Sequence, residues 1–207
     1  MTDLSGITTL ASPNGLFVAG VVPDDDHSIV ILSPAEPDFW PHLKGQPEYS
    51  DGQPDPIDRW SVRVIGEMAQ ALGGEAILPH HGPPYAPFYT WALASGRFWA
   101  SPVMLLVHAE AGLFASMRGA IRLRGKVDMP AAQRPCDSCA GKPCLAACPA
   151  GALTGEGYDV PSCHAHLDTA AGRDCFEGGC LVRRACPVGQ GRRSAEQSAH
   201  HMRHFHK

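Results

Sequence analysis

The chain has 207 residues, 44% of them hydrophobic, and a formal net charge of −4 with a sequence pI near 6.2. That balance supports a true core and gives no basis for a nucleic-acid-binding surface. The start, MTDLSGITTLASPNG, lacks the basic and apolar character of a leader, and no apolar run is long enough to span a bilayer, so a cytoplasmic protein without a membrane role is expected.

In chain order, Gly15 to Val22 and Ser28 to Leu32 read as buried strands, being short and rich in Val and Ile. Asp24, Asp25 and Asp26 read as the turn between them. From Pro34 to Pro56 stand Pro34, Pro37, Pro41, Pro47, Pro54 and Pro56, too many for a helix or a central strand, which predicts a surface excursion. A helix is then predicted, with Asp55 as cap and Pro56 in the first turn. Ile57, Trp60, Val64, Met68 and Leu72 follow its spacing, and Gly73-Gly74 ends it. Glu75 to Leu78 reads as a short strand.

A segment dense in aromatic residues follows, holding Tyr85, Phe88, Tyr89, Trp91, Phe98 and Trp99. Val103 to His108 and Leu113 to Leu123 are predicted as a hairpin around Ala109–Gly112. The expected fold class is α+β (α/β-like) with a largely antiparallel sheet. Composition divides the chain into a domain over 1–128, a cysteine-rich module over 129–189 and a tail over 190–207. Within the tail one helix is expected, with Ser194 and Gln197 as capping box and Ala199, Met202 and Phe205 docking on the body.

All eight cysteines fall in the middle module, ordered Cys136-x2-Cys139-x4-Cys144-x3-Cys148-Pro149, then Cys163, then Cys175-x4-Cys180-x5-Cys186-Pro187. Two runs, each closing on Cys-Pro, form a stretched version of the bacterial two-cluster pattern, in which the last cysteine of each run serves the other cluster. Cys136, Cys139, Cys144 and Cys186 would hold one [4Fe–4S] cluster, and Cys163, Cys175, Cys180 and Cys148 the second. Gly141 and Pro143 are expected to absorb the extra residues before Cys144, and Gly178-Gly179 those before Cys180. The alternatives are structural zinc, which prefers close pairs separated by a longer loop, and a disulfide framework, which suits an exported chain.

The run GRFWASPVMLLVHAEAGLFASMRGAIRL, then CDSC, CLAACPAGAL, the solitary Cys163 and the stretch from Cys180 to Pro187, is similar to the catalytic half of epoxyqueuosine reductases and to the related corrinoid reductive dehalogenases. The likeness covers residues 97 to 189. It implies a truncated nitroreductase-like domain followed directly by a two-cluster ferredoxin-like module, with cobalamin or flavin as a further cofactor. Departures are Ala100-Ser101-Pro102 in place of the family's glycine–lysine turn and the lack of a segment like its helical-repeat region for transfer RNA. No catalytic residue is carried over.

Tyr85, Tyr89, Trp91 and Trp99 are the candidates to line a pocket for a flavin or corrin ring; the other reading is that they pack between domains. His164 and His166 flank Cys163 and could hydrogen-bond sulfur. Of the tail histidines, His200 and His204 stand four apart, as a metal pair or as a solvated helix face. Arg122, Arg124, Lys126, Arg183, Arg184, Arg192 and Arg193 could dock an acidic redox partner protein or offset cluster charge. The expected function is single-electron transfer through two [4Fe–4S] clusters. Its alternatives are a corrinoid- or flavin-dependent reductase acting on a small-molecule substrate and a zinc-stabilised binding module.

Overall fold

A computed structural model describes residues 3–206. The chain forms two compact units: one runs through Arg97 and takes in Ser116–Ala132, while the other holds Phe98–Ala115 and everything from Gln133 onward. Residues 98–115 and the tail thus group with the cysteines.

The first unit is built on one antiparallel sheet of β1 (Leu16–Asp24), β2 (His27–Pro34), β3 (Glu75–Ile77) and β6 (Gly119–Arg124), in the order β1–β2–β6–β3. Asp24 pairs with His27, so Asp25 and Asp26 make the predicted turn. Asp25 takes φ 52, a conformation short polar side chains tolerate. Val30 and Leu32 on β2 and Ile121 and Leu123 on β6 face a core completed by α1 (Leu4–Ala11) and α4 (Pro56–Leu72). The alternate residues Ile29, Ile31 and Ala120 are buried too, which explains why these strands read as unbroken apolar runs.

Helix α4 presents Trp60, Val64, Ile65 and Met68 to that core. Its end is as predicted: Gly73 adopts φ 65, and the amides of Gly73 and Gly74 reach back to Gln70 and Ala69, closing the last turn. Its start differs. Asp55 sits in a left-handed conformation and makes no side-chain cap; its carbonyl instead accepts from the amides of Asp58 and Arg59.

The proline-rich excursion is also more ordered than proline content suggests. It folds into α2 (Phe39–Lys44) and α3 (Pro47–Ser50), and α2 buries Phe39, Trp40 and Leu43. Pro41, Pro47 and Pro56 all lie in first turns, where the missing N–H costs nothing. Two arginines of α4 hold the excursion: Arg59 donates to both carboxylate oxygens of Asp51, and Arg63 donates to Glu48. The Arg63 hydrogen bond keeps the Glu48 carboxyl below its ordinary range. After β3, the aromatic segment contributes α5 (Phe88–Ala94).

The second unit pairs β4 (Phe98–Ala100) with β5 (Leu106–His108). The hairpin predicted over 103–123 therefore does not form. β5 turns back onto β4, while Leu113 packs within the second unit and Gly119 onward threads between β2 and β3 of the first. The rest is short: α6 (Pro135–Ser138), α7 (Val160–Leu167), α8 (Arg173–Gly178), α9 (Leu181–Arg184) and α10 (Ala195–Phe205). Helix α10 is the predicted tail helix, with Ser194 accepting from the Gln197 amide at 3.2 Å and with Ala199 and Met202 buried. Among the described residues, no helix is long and apolar enough to cross a membrane.

Trp60 is fully buried and meets Phe39 edge-on at 5.4 Å, joining sheet, α4 and excursion. Trp60→Ala should lower unfolding free energy by about 3–5 kcal/mol, read by urea denaturation with tryptophan-independent far-UV circular dichroism.

Candidate metal centre

All eight cysteines are free thiols within the second unit. Cys136 lies in α6, whose start is anchored by Arg134 donating to the Ala100 carbonyl at 2.8 Å. Cys139 ends that helix. The chain reverses at Lys142, which takes φ 36, and Cys144 follows in a single 3-10 turn. The extra residues are thus absorbed by a left-handed lysine; Gly141 keeps an ordinary φ. Cys186 follows α9. Together Cys136, Cys139, Cys144 and Cys186 wall one hollow, closed by Pro187 and Val188 and by Val107 and Leu113.

What brings Cys186 there is a turn at the end of β5. His108 is fully buried and its Nδ1 accepts the amides of Glu110 and Ala111 at 3.1 and 3.2 Å, which assigns the ring its Nε2–H tautomer. Gly112 closes the turn at φ 56, and any Cβ there would stand 1.9 Å from the Val188 carbonyl oxygen and 3.0 Å from Cys186 Sγ. Only glycine lets the two segments approach so closely.

The other four cysteines wall a second hollow. Cys163 comes from α7, capped by Asp159. Cys175 is in α8, and Cys180 stands at the start of α9 after Gly179, whose φ of 90 supports the expected role of this glycine. Cys148 arrives from the end of the first run. Helix α10 supplies a wall through Met202 and Phe205.

The electrostatics of the thiols divide in the same way. Burial pushes the Cys136, Cys144, Cys163 and Cys175 thiols above their ordinary range. Neighbouring thiols add to it, and each comes from the same set: Cys186 and Cys139 act on Cys136, Cys180 and Cys148 on Cys163. The structure therefore brings together the two groups of four expected from the crosswise reading of the spacing.

The free space is about 370 Å³ in the first hollow and 650 Å³ in the second, counted out to open solvent. Among the described residues, no three His, Cys, Asp or Glu side chains converge closely enough to hold a single ion. Four cysteines set among apolar side chains around each space supply the donor set of a cubane cluster, whose ligands surround an object rather than a point.

Other groups complete the second hollow. The Tyr158 hydroxyl donates to Cys163 Sγ at 3.3 Å, and the Ala152 amide to Cys148 Sγ at 3.2 Å. Arg183 lines it, with its guanidinium held by the Leu113 carbonyl. Burial lowers the Arg183 pKa, while Cys180 opposes that shift. Of the basic residues singled out, Arg183 is thus turned inward. Arg184 pairs with Asp174, Arg122 with Asp24, and Arg193 lies over the Phe114 ring.

His166 lines the second hollow, but Tyr158 and neither flanking histidine is the group hydrogen-bonded to Cys163; His164 meets Phe205 and His206 edge-on. The His200 and His204 rings lie 4.2 Å apart, tilted by 33°, and join no group of three metal-binding side chains among the described residues. Tyr85, Tyr89 and Trp91 belong to the first unit, the two tyrosines 63% and 52% exposed. Trp99 belongs to the second, packed on the apolar cluster that holds Cys144 and Cys186. Tyr158 and Arg183 carry no spacing signal of their own; only their nearness to cysteines hinted at them.

Comparison with protein-family models, with curated proteins and with solved structures finds no match to this chain.

Raised thiol pKa values mean that the metal-free fold favours protonated cysteines. Its stability is full below the unfolded thiol pKa of about 8.5 and falls as pH rises through the higher folded values. The urea midpoint of metal-free protein should be level between about pH 6 and pH 8 and drop above it; a midpoint that climbs above about pH 8 would contradict the buried-thiol picture.

Proposed function

We propose that the second unit is a ferredoxin-like electron-transfer module holding two [4Fe–4S] clusters, one in each hollow. The supporting observation is the grouping of eight cysteines into two sets of four around separate spaces, with Cys148 and Cys186 exchanged between the runs. Bound clusters of this type exchange one electron each, at potentials tuned by hydrogen bonds to sulfur and by burial.

The protein's own contribution is positional. Proline residues beside Cys136, Cys144, Cys148 and Cys186 restrict the backbone at ligand positions. Val103, Val107, Leu113, Leu153 and Val182 form an apolar cluster against which thiols of both sets pack, excluding water between them. A reducing compartment, in which clustered thiols stay available to metal, suits this role.

Anaerobic reconstitution should give about eight iron and eight sulfide per chain, the content of two cubanes. Cys136→Ala and Cys163→Ala should each lose about half the iron. The paired variants carry the crosswise assignment. Cys148→Ala combined with Cys163→Ala should lose no more than either alone, and combined with Cys136→Ala should empty both sites. The reverse pattern would show that Cys148 serves its own run, and iron-free protein would sink the functional reading.

A further inference from the structure

The hydrogen bonds and cations around the two sets of thiols are unequal. In the second set, Cys163 accepts from the Tyr158 hydroxyl and Cys148 from the Ala152 amide. In the first, the corresponding influences are the amide of Cys144 itself and the charge of Arg134 on Cys136. Arg134 and Lys142 are solvent-exposed, and a charge in water acts weakly at a distance.

Arg183 is different. Its guanidinium donates to the Leu113 carbonyl, and the half-buried side chain lines the second hollow with Cys180 and Tyr158, where burial of the charged group lowers its pKa. Tyr158 is held in turn by its ring, which stacks on Phe205 at 5.9 Å and 12°. Adding an electron makes a thiolate-bound cluster more negative. Donors aimed at its sulfurs and a cation in a low-dielectric surround therefore favour the reduced form.

We infer that the two sites have separate potentials, the second being the more readily reduced, and that Tyr158 and Arg183 set the gap. The inference rests on the proposed two-cluster function and assigns it a direction: an electron entering at Cys136, Cys139, Cys144 and Cys186 comes to rest at Cys148, Cys163, Cys175 and Cys180. Tyr158 and Arg183 are positioning residues. One holds a ligand sulfur from outside, and the other supplies charge without ligating.

The test is a redox titration of reconstituted protein followed by electron paramagnetic resonance, with iron content measured on every sample. Wild type should show two midpoints, and Cys163→Ala should delete the upper one. Tyr158→Phe and Arg183→Met should each lower the upper midpoint by about 59 mV or more, the one-electron equivalent of a tenfold change in the reduction equilibrium. The lower midpoint should stay in place, and Arg183→Lys should retain most of the upper value. If Arg183→Met does not load iron, Tyr158→Phe, which removes one hydroxyl, decides alone. Coincident midpoints in protein carrying eight irons overturn this inference and leave the two-cluster reading intact, as does an upper midpoint that survives Cys163→Ala or ignores Tyr158→Phe. Wild type that takes up no iron overturns the functional reading itself.

Discussion

Four sulfurs must surround one hollow, yet each short cysteine run has its fourth member on the wrong side to close its own. Cys148 and Cys186 resolve this by exchange, each standing with the three cysteines it does not follow in sequence. Much of the second unit is arranged around that exchange. The buried His108 fixes a turn, the turn seats Gly112 against Val188, and Val188 carries Cys186 to the first hollow. The apolar side chains of β5 and α9, Val107 and Val182, then fill the space between the sets.

Such a module is costly to assemble from thiols alone. Burial raises four of the thiols, and Arg183, whose charged group burial disfavours, faces a carbonyl, a thiol and a phenol with no carboxylate acting on it. An isolated buried cation is expensive. A polyanionic object among the cysteines would offset both terms. The side chains that look worst placed in the metal-free fold are then those with most to gain from what the cysteines would enclose.

Legibility in the sequence followed how local each signal was. The Ser194 cap and the helical stripe from Ile57 to Leu72 are local, and each leads to the right element. The hairpin over 103–123 was misread because an apolar run says nothing about partners: β5 and β6 are paired into different sheets. Proline count misled over 34–56, since a proline in a first turn is compatible with a helix and Arg59 and Arg63 supply the tether. Tyr158 and Arg183 became visible only through contacts, because a hydroxyl or guanidinium near a sulfur has no periodicity.

The share of α10 in the second hollow has a consequence for biosynthesis. A growing polypeptide could finish the first enclosure once Val188 has left the ribosome, but Met202 and Phe205 are wanted for the other. Domains tend to form in the order they emerge. The two enclosures would therefore ripen at different moments, and the later of them would stand partly open until Phe205 had emerged.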